Sequence, residues 1–287
     1  MGYMHIDNLY KSQDILMFKE CYALEKIHGT SAHISMTSSG ELRFFAGGVS
    51  HDSFVRLFDK EAIEASLREL GEEVTVYGEA YGGKCQGMSD TYGKDLRFVV
   101  FDVKIGDCWL AVPQAQAVTL SLGLEFVDYV QVPTTLEALN AERDKPSEQA
   151  VRNGVTEPKK REGVVLRPLI ELTKNNGSRV ICKYKGEEFG ETKAPRQVSP
   201  EKLQVLSDAK TIAEEWVTPM RLVHVLDKLG NPGIEKMPDI MKAMLEDIRR
   251  EGEGEIEWSR DVERAVGKAT AEQVKAHIKA KLVETAS

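Results

Sequence analysis

No apolar run in this chain approaches twenty residues, so no transmembrane helix is expected. The opening residues, Met1-Gly2-Tyr3-Met4-His5-Ile6-Asp7, have neither a basic start nor a long apolar stretch, so no secretory leader is expected. Ile6 stands where a myristoylation signal wants Ser or Thr. Cysteine is scarce: Cys21, Cys85, Cys108 and Cys182 form no Cys-x-x-Cys pair, and none clusters with histidine. Zinc is therefore not expected, and reduced thiols in a cytoplasmic protein are. Positive charge is also in deficit. A net charge of −8 excludes a protein that coats nucleic acid by bulk electrostatics, but not a local groove that grips a few phosphates. There is no internal repeat and no low-complexity tract.

What is present is ordinary globular sequence. At 287 residues, 41% hydrophobic and 29% charged, the chain can bury a full core, with one large domain and a smaller one. After a short lead-in over 13–20, residues 21–46 alternate with period two. They predict strands at Cys21–Leu24, near 32–37 and at Glu41–Ala46, with a turn at Ser38-Ser39-Gly40. Phe54, Leu57, Phe58, Ile63, Leu67 and Leu70 fall at helical spacing and predict a helix over 52–70. Strands follow at Glu73–Tyr77 and Arg97–Val103, with Asp107–Leu110 as the hairpin mate of the latter. Helices are expected at 113–122 and 134–150, and strands at 124–132, Glu162–Arg167 and Arg179–Lys185. The chain up to 196 thus reads as α+β. Beyond Pro195 it turns helical. Ser199-Pro200 is a helix start with an apolar stripe at Leu203, Leu206, Ile212, Ala213 and Trp216, and Thr218-Pro219 is another start. A third helix carries Ile240, Met241, Met244, Leu245 and Ile248, a short fourth runs from Asp261 to Val266, and a capping box at Thr270-Ala-Glu-Gln273 opens a last one. The expected division is 1–196 and 197–287.

Lys26 stands out. It sits between a strand and a glycine turn in Glu25-Lys26-Ile27-His28-Gly29-Thr30, a place suited to holding an amine at the floor of a cleft. Such a string occurs by chance in roughly one chain in ten of this length, so its company decides the matter. That company, in order, is Gly78-Glu79-Ala80-Tyr81-Gly82-Gly83, Phe98-Val-Val-Phe101-Asp102, Glu162-Gly163-Val-Val-Leu-Arg167, and Lys183-Tyr184-Lys185-Gly186. Lys183 and Lys185 are two apart on a strand, so both amines share a face.

This series of segments resembles the covalent nucleotidyltransferase superfamily of polynucleotide ligases and capping enzymes. Glu25–Thr30 and Glu162–Pro168 are most similar to RNA ligases of the RNA ligase 2 type; DNA ligases usually carry aspartate where this chain has His28. The resemblance covers about residues 20–186. It implies an adenylyltransferase domain, an ATP-grasp-like ligase fold of antiparallel sheets flanked by helices, followed by a small all-helical C-terminal domain. No OB-fold signature follows residue 186, which separates the chain from DNA ligases and capping enzymes. The implied cofactors are ATP and Mg²⁺ (or Mn²⁺), and the implied partners are nucleic acid ends, RNA in nicked duplex or single strands, with no membrane.

The resemblance also implies roles. Lys26 attacks the α-phosphate of ATP and carries AMP as a phosphoramidate. Lysine is a nucleophile only when neutral, a form that the neighbouring cations Lys183 and Lys185 favour while gripping the phosphate. Glu25, Ile27 and His28 flank the nucleophile at the nucleotide, with His28 toward pyrophosphate or the substrate phosphate. Glu79 accepts from the ribose hydroxyls. Phe101 stacks on adenine, with Phe98 as the other candidate. Glu162 holds the divalent cation or its water, and Arg167 is a further phosphate contact. Arg43 and His51 are assigned to the cleft rim, and Lys159-Lys160-Arg161 to a loop with an optional nucleic-acid contact. Trp109, Trp216, Trp258 and the Met237–Met244 stripe are read as packing. Two positions depart from the family pattern: Ser31 replaces an asparagine, and Phe45-Ala46-Gly47-Gly48 stands where an Arg-Thr-Gly-like segment is expected. Rival readings are a DNA or mixed-substrate ligase, a capping guanylyltransferase, and a non-catalytic nucleic-acid-binding protein on a ligase-derived fold.

Overall fold

The computed structural model describes residues 2–190 and 209–285. The chain divides into two compact units, 1–186 and 187–287. The boundary expected at 196, the Ser199-Pro200 helix start, Leu203 and Leu206 lie outside the described residues.

The first unit is α+β. Nine strands are formed in it: β1 (Glu20–Lys26), β2 (Thr30–Met36), β3 (Leu42–Ala46), β4 (Val74–Gly82), β5 (Leu96–Ile105), β6 (Cys108–Trp109), β7 (Tyr129–Pro133), β8 (Gly163–Arg167) and β9 (Cys182–Lys185). They make two antiparallel sheets, one ordered β7-β1-β8-β9 and the other β3-β2-β4-β5-β6. The chain passes from one sheet to the other at Ile27-His28-Gly29, directly after Lys26. A side chain at Gly29 would drive its Cβ to 2.3 Å from the Ala80 carbonyl, so only glycine lets this turn lie against β4.

Alternation decides what each strand buries. On β2, Ile34 and Met36 go into the core, joined there by Ile63 and Leu67 of α2 (Lys60–Glu69), while Ala32 packs in a smaller cluster with Phe54 and Ala80. The core continues through Val76, Val99, Val100 and Val103 to Val112 and Ala115 of α4 (Val112–Ser121), once α1 (His51–Val55) and α3 (Ser89–Tyr92) are counted before it. The helix predicted over 52–70 is two, because the Asp59 carboxylate accepts from the N–H groups of Glu61 and Ala62 and starts α2 afresh. The helix predicted over 134–150 is likewise split into α5 (Leu136–Arg143) and α6 (Glu148–Arg152), since Ser147 caps a new start through its bond from Ala150 N–H.

The second unit is helical where described: α7 (Ala209–Trp216), α8 (Pro219–Lys228), α9 (Met237–Glu251) and α10 (Arg260–Thr285). Ile212, Trp216, Leu222, Met244, Ile248 and Val266 share its core. Two helices were expected where α10 runs unbroken. Thr270 does not cap; its hydroxyl donates to the Val266 carbonyl at 2.8 Å inside the helix. Among the described residues no helix is long and apolar enough to cross a membrane.

Candidate active site

Strand register assembles the site. Lys26 lies opposite Gly163, and Gly163 opposite Lys185; one step along, Leu24 lies opposite Val165 and Val165 opposite Lys183. Residues directly opposite in an antiparallel pair share a face, so β1, β8 and β9 present Lys26, Lys183 and Lys185 together. No side chain separates Lys26 from Lys185, because the residue between them is glycine. Gly163 has φ +149°, and an added Cβ would fall 2.2 Å from the Tyr184 carbonyl oxygen.

Glu162 closes the cluster. Its carboxylate is buried and meets Lys26 Nζ at 3.0 Å, Lys185 Nζ at 3.0 Å and His28 Nδ1 at 3.3 Å. Burial by itself raises the pKa of this carboxyl. The charges of Lys26 and Lys185 and the bond from His28 outweigh it, leaving the pKa well below the usual carboxylate range. His28 is itself buried, and its backbone N–H donates to the Tyr92 hydroxyl at 3.2 Å. It faces Glu162 rather than open space.

On the other side of Lys26 a cavity opens between the two sheets. Its walls include Leu24, Val165 and Lys183 from one sheet and Ser31, Glu79 and Phe101 from the other. Ile27 also borders it. The expected Lys26, Glu79, Phe101 and Lys183 are therefore brought together. Phe98 is not; its ring packs against Phe54 and Phe58 at 5.3 and 5.5 Å between centroids.

Two expected ligand contacts are committed elsewhere. Glu25 borders the cavity, but alternation turns its carboxylate to the far face of β1. There it accepts from Ser147 Oγ at 2.5 Å and from the N–H groups of Glu148 and Gln149 at 3.0 and 3.2 Å, anchoring the start of α6. Burial raises the pKa of this carboxyl despite the Ser147 bond and the charge of Arg161. Arg167 touches the cavity wall but is 1% exposed, and carboxylates and carbonyls occupy its guanidinium. It binds Asp102 at 3.0 Å, the Leu110 carbonyl at 2.6 Å, and Glu171. A guanidinium so enclosed does not fit a free phosphate contact. Arg43 pairs with Glu41 on exposed β3, and His51 is exposed at the start of α1; neither lines the cavity. Of the basic loop, Arg161 is buried against Glu142 at 2.9 Å, and Lys159 reaches Glu157.

Residues 3–9 are the part that sequence reading left without a role. Tyr3, Met4 and Ile6 line the cavity. The segment is held to β9 by bonds from Lys183 N–H to the Asp7 carbonyl and from Leu9 N–H to the Lys183 carbonyl, both 2.8 Å. Tyr3 packs edge-on against Phe101 at 4.9 Å, and its hydroxyl donates to Asp102 at 2.7 Å. Asp102 also receives Arg179 at 2.6 Å, whose guanidinium lies over Trp109 at 4.1 Å and binds Glu171. The apolar residues Tyr3, Ile6 and Leu9 were the available signal, too short to separate from a frayed end.

A nucleotide fits this donor set: an apolar slot with an aromatic wall, a carboxylate for hydroxyls, and lysines for phosphate. A metal fits only narrowly. Among the described residues no three His, Cys, Asp or Glu side chains gather around one point. Glu162 alone suits a hard cation that takes its remaining ligands from phosphate and water.

A family model described as RNA ligase matches residues 19–185. No curated protein matches the chain. Among solved structures it is similar to the RNA ligase of Naegleria gruberi. A mutant of that protein with ATP and Mn aligns at 15% identity and a TM-score of 0.51, over 66% of this chain and 57% of that one. The form with PPi aligns at 17% identity and the same TM-score, 0.51, again over 66% and 57%. At such identity the likeness is one of fold, and the chain spans a little over half the length of these structures.

Proposed function

This chain belongs to the RNA ligase family, and from that premise we propose that it is an ATP-dependent RNA ligase joining a 5′-phosphate to a 3′-hydroxyl. The observation that carries the reading is the position of Lys26, whose side chain is 24% exposed where the cavity meets the Glu162 cluster. In the first step the neutral Lys26 amine attacks the α-phosphorus of ATP. A nitrogen–phosphorus bond forms, the bond to pyrophosphate breaks, and the amine loses its proton. In the second, an oxygen of the RNA 5′-phosphate takes AMP and frees Lys26. In the third, the 3′-hydroxyl attacks that 5′-phosphorus and AMP leaves.

Each neighbour has a task in this scheme. Phe101 and Val165 hold the base between an aromatic and an aliphatic wall. Glu79 accepts from the ribose hydroxyls. Lys183 and Lys185 neutralise phosphate charge as it builds in the transition state. Glu162 keeps the Lys26 amine oriented through their contact at 3.0 Å. Glu162 is the residue that would hold Mg²⁺ or Mn²⁺, which would supply positive charge against the phosphates. His28 fixes the Glu162 carboxylate from its buried side.

The test is direct. Incubation with α-labelled ATP and Mg²⁺ is expected to give a labelled band stable to denaturing electrophoresis, absent in Lys26→Ala. No label, or label that survives that substitution, would overturn the nucleophile assignment. Preferential labelling by GTP would favour a capping activity. A panel of nicked duplexes and single strands, in RNA, DNA and mixed forms, identifies the strand that is sealed. Sealing of nicked or single-stranded RNA ends is the expected result, and sealing of DNA alone would replace the RNA reading.

A further inference from the structure

The sheet face that carries Ser31 and Glu79 does not end at the cavity. Two residues on, about 7 Å at the rise of a strand, His33 of β2 lies opposite Tyr77 of β4 and opposite Phe45 of β3. These rings form a row across the sheet. Phe45 stacks on His33 with centroids 4.9 Å apart and planes at 23°. His33 meets Tyr77 at 5.6 Å, and Tyr77 meets Tyr3 at 5.1 Å. Tyr3 in turn carries the row to Phe101 in the cavity wall.

The inner rings are closed to water; His33 and Tyr77 are each 7% exposed. The outermost is not. Phe45 is 46% exposed on the edge strand of the sheet, with Arg43 on the same open face two residues away. Phe44, on the other face, packs on Phe54 and Phe58 and fixes the strand beneath. Burial lowers the pKa of His33 to about 4, so a neutral ring backs Phe45 at ordinary pH. A half-open aromatic ring with a rigid aromatic backing, continuous with a nucleotide cavity, has the makeup of a base-stacking surface. Every nucleobase has a π-face, so such a surface grips a strand without reading it.

We propose that Phe45 is a stacking platform for an unpaired nucleobase of the RNA strand being joined, acting after the lysyl-AMP has formed. This rests on the ligase reading above. The occupant is a single splayed base rather than a duplex, because one ring at a sheet edge offers area for one base. The segment Phe45-Ala46-Gly47-Gly48, where an arginine is expected, thus presents a π-face in place of a phosphate grip.

The experiment compares wild type, Phe45→Ala and Phe45→Trp with labelled ATP and a 5′-phosphorylated oligoribonucleotide bearing a 3′-hydroxyl. Lysyl-AMP formation is expected to be the same in all three. Single-turnover transfer of AMP to the RNA end is expected to fall roughly tenfold in Phe45→Ala, as loss of one base–aromatic stack predicts, and to survive in Phe45→Trp. The tryptophan variant is expected to show emission quenched by the oligoribonucleotide beyond that of wild type. Equal transfer rates in wild type and Phe45→Ala, with the adduct formed normally, would overturn the platform and leave the ligase reading standing. Quenching of Phe45→Trp by RNA without any adduct would leave the platform standing and remove the ligase reading.

Discussion

Two buried carboxylates, Glu162 and Asp102, each contact residues that line the cavity, and their partners differ. Glu162 gathers Lys26, Lys185 and His28; Asp102 gathers Arg167, Arg179 and the Tyr3 hydroxyl. Both are acids surrounded by bases, yet the two clusters suit different work. An arginine stays charged and its planar fork fills every donor at once, which makes a rigid strut. Arg167 and Arg179 each bind both Asp102 and Glu171, leaving neither free to meet a ligand. A lysine is a point charge that can give up its proton, and Lys26 keeps one side toward the cavity. The lysine cluster is therefore suited to chemistry and the arginine cluster to holding Phe101 and the sheet edge still.

The largest effect that would test this contrast is Asp102→Ala. It removes one of the two carboxylates that the buried Arg167 and Arg179 share and is expected to cost about 3–5 kcal/mol, read as a fall in Tm. The fraction that stays folded should still form the adduct. Next comes Glu162→Gln, expected to slow lysyl-AMP formation about 100-fold, the equivalent of about 2.7 kcal/mol, with a smaller change in Tm. If Glu162→Gln instead unfolds the protein while Asp102→Ala abolishes the adduct without destabilising, the two clusters have been assigned the wrong way round. Glu162 also carries a pH signature. Its folded pKa is depressed, so its contribution is fully present above the unfolded value near 4.5 and is lost as pH falls below it. Urea melts at pH 6 and in the acid range should show wild type losing this contribution and Glu162→Gln having none to lose. The smallest effect is that of Tyr3→Phe. Removing the hydroxyl from Asp102 is expected to cost about 1.5 kcal/mol while KM for ATP holds, because the ring against Phe101 remains. Tyr3→Ala should raise KM. A rise in KM for the phenylalanine variant would mean that the arginine cluster reaches the nucleotide through more than ring packing.

Much of the lysine cluster could be read from residue order. Lys183 and Lys185 alternate on one strand, so periodicity gives those two a shared face, while only the family resemblance sets Lys26 beside them. Glu79 and Phe101 come from that resemblance too, and both line the cavity. Arg167 could not, because a strand pattern says where a side chain points but not which acid awaits it. Its partner Asp102 is far off in the chain and arrives only when β5 and β8 come to the same cavity. Glu25 failed in a similar way: its neighbours Ser147 to Gln149 belong to a helix start distant in sequence. In the helical unit the Thr270-x-x-Gln273 pattern mimicked a helix start, and only its burial inside α10 distinguishes a hydroxyl bonded backward from one that caps. The strands were legible one by one, whereas their division between two sheets depended on pairings that no single segment encodes.

Gly163 sets a limit on how this site can vary. Every single-base change that replaces a glycine codon with another amino acid introduces a Cβ, and at Gly163 that atom would strike the Tyr184 carbonyl oxygen. No gentle neighbour exists for drift to explore. The spacing between Lys26 and Lys185 is thus protected at the level of the genetic code, and random mutagenesis of the chain should recover Gly163 variants only among inactive clones.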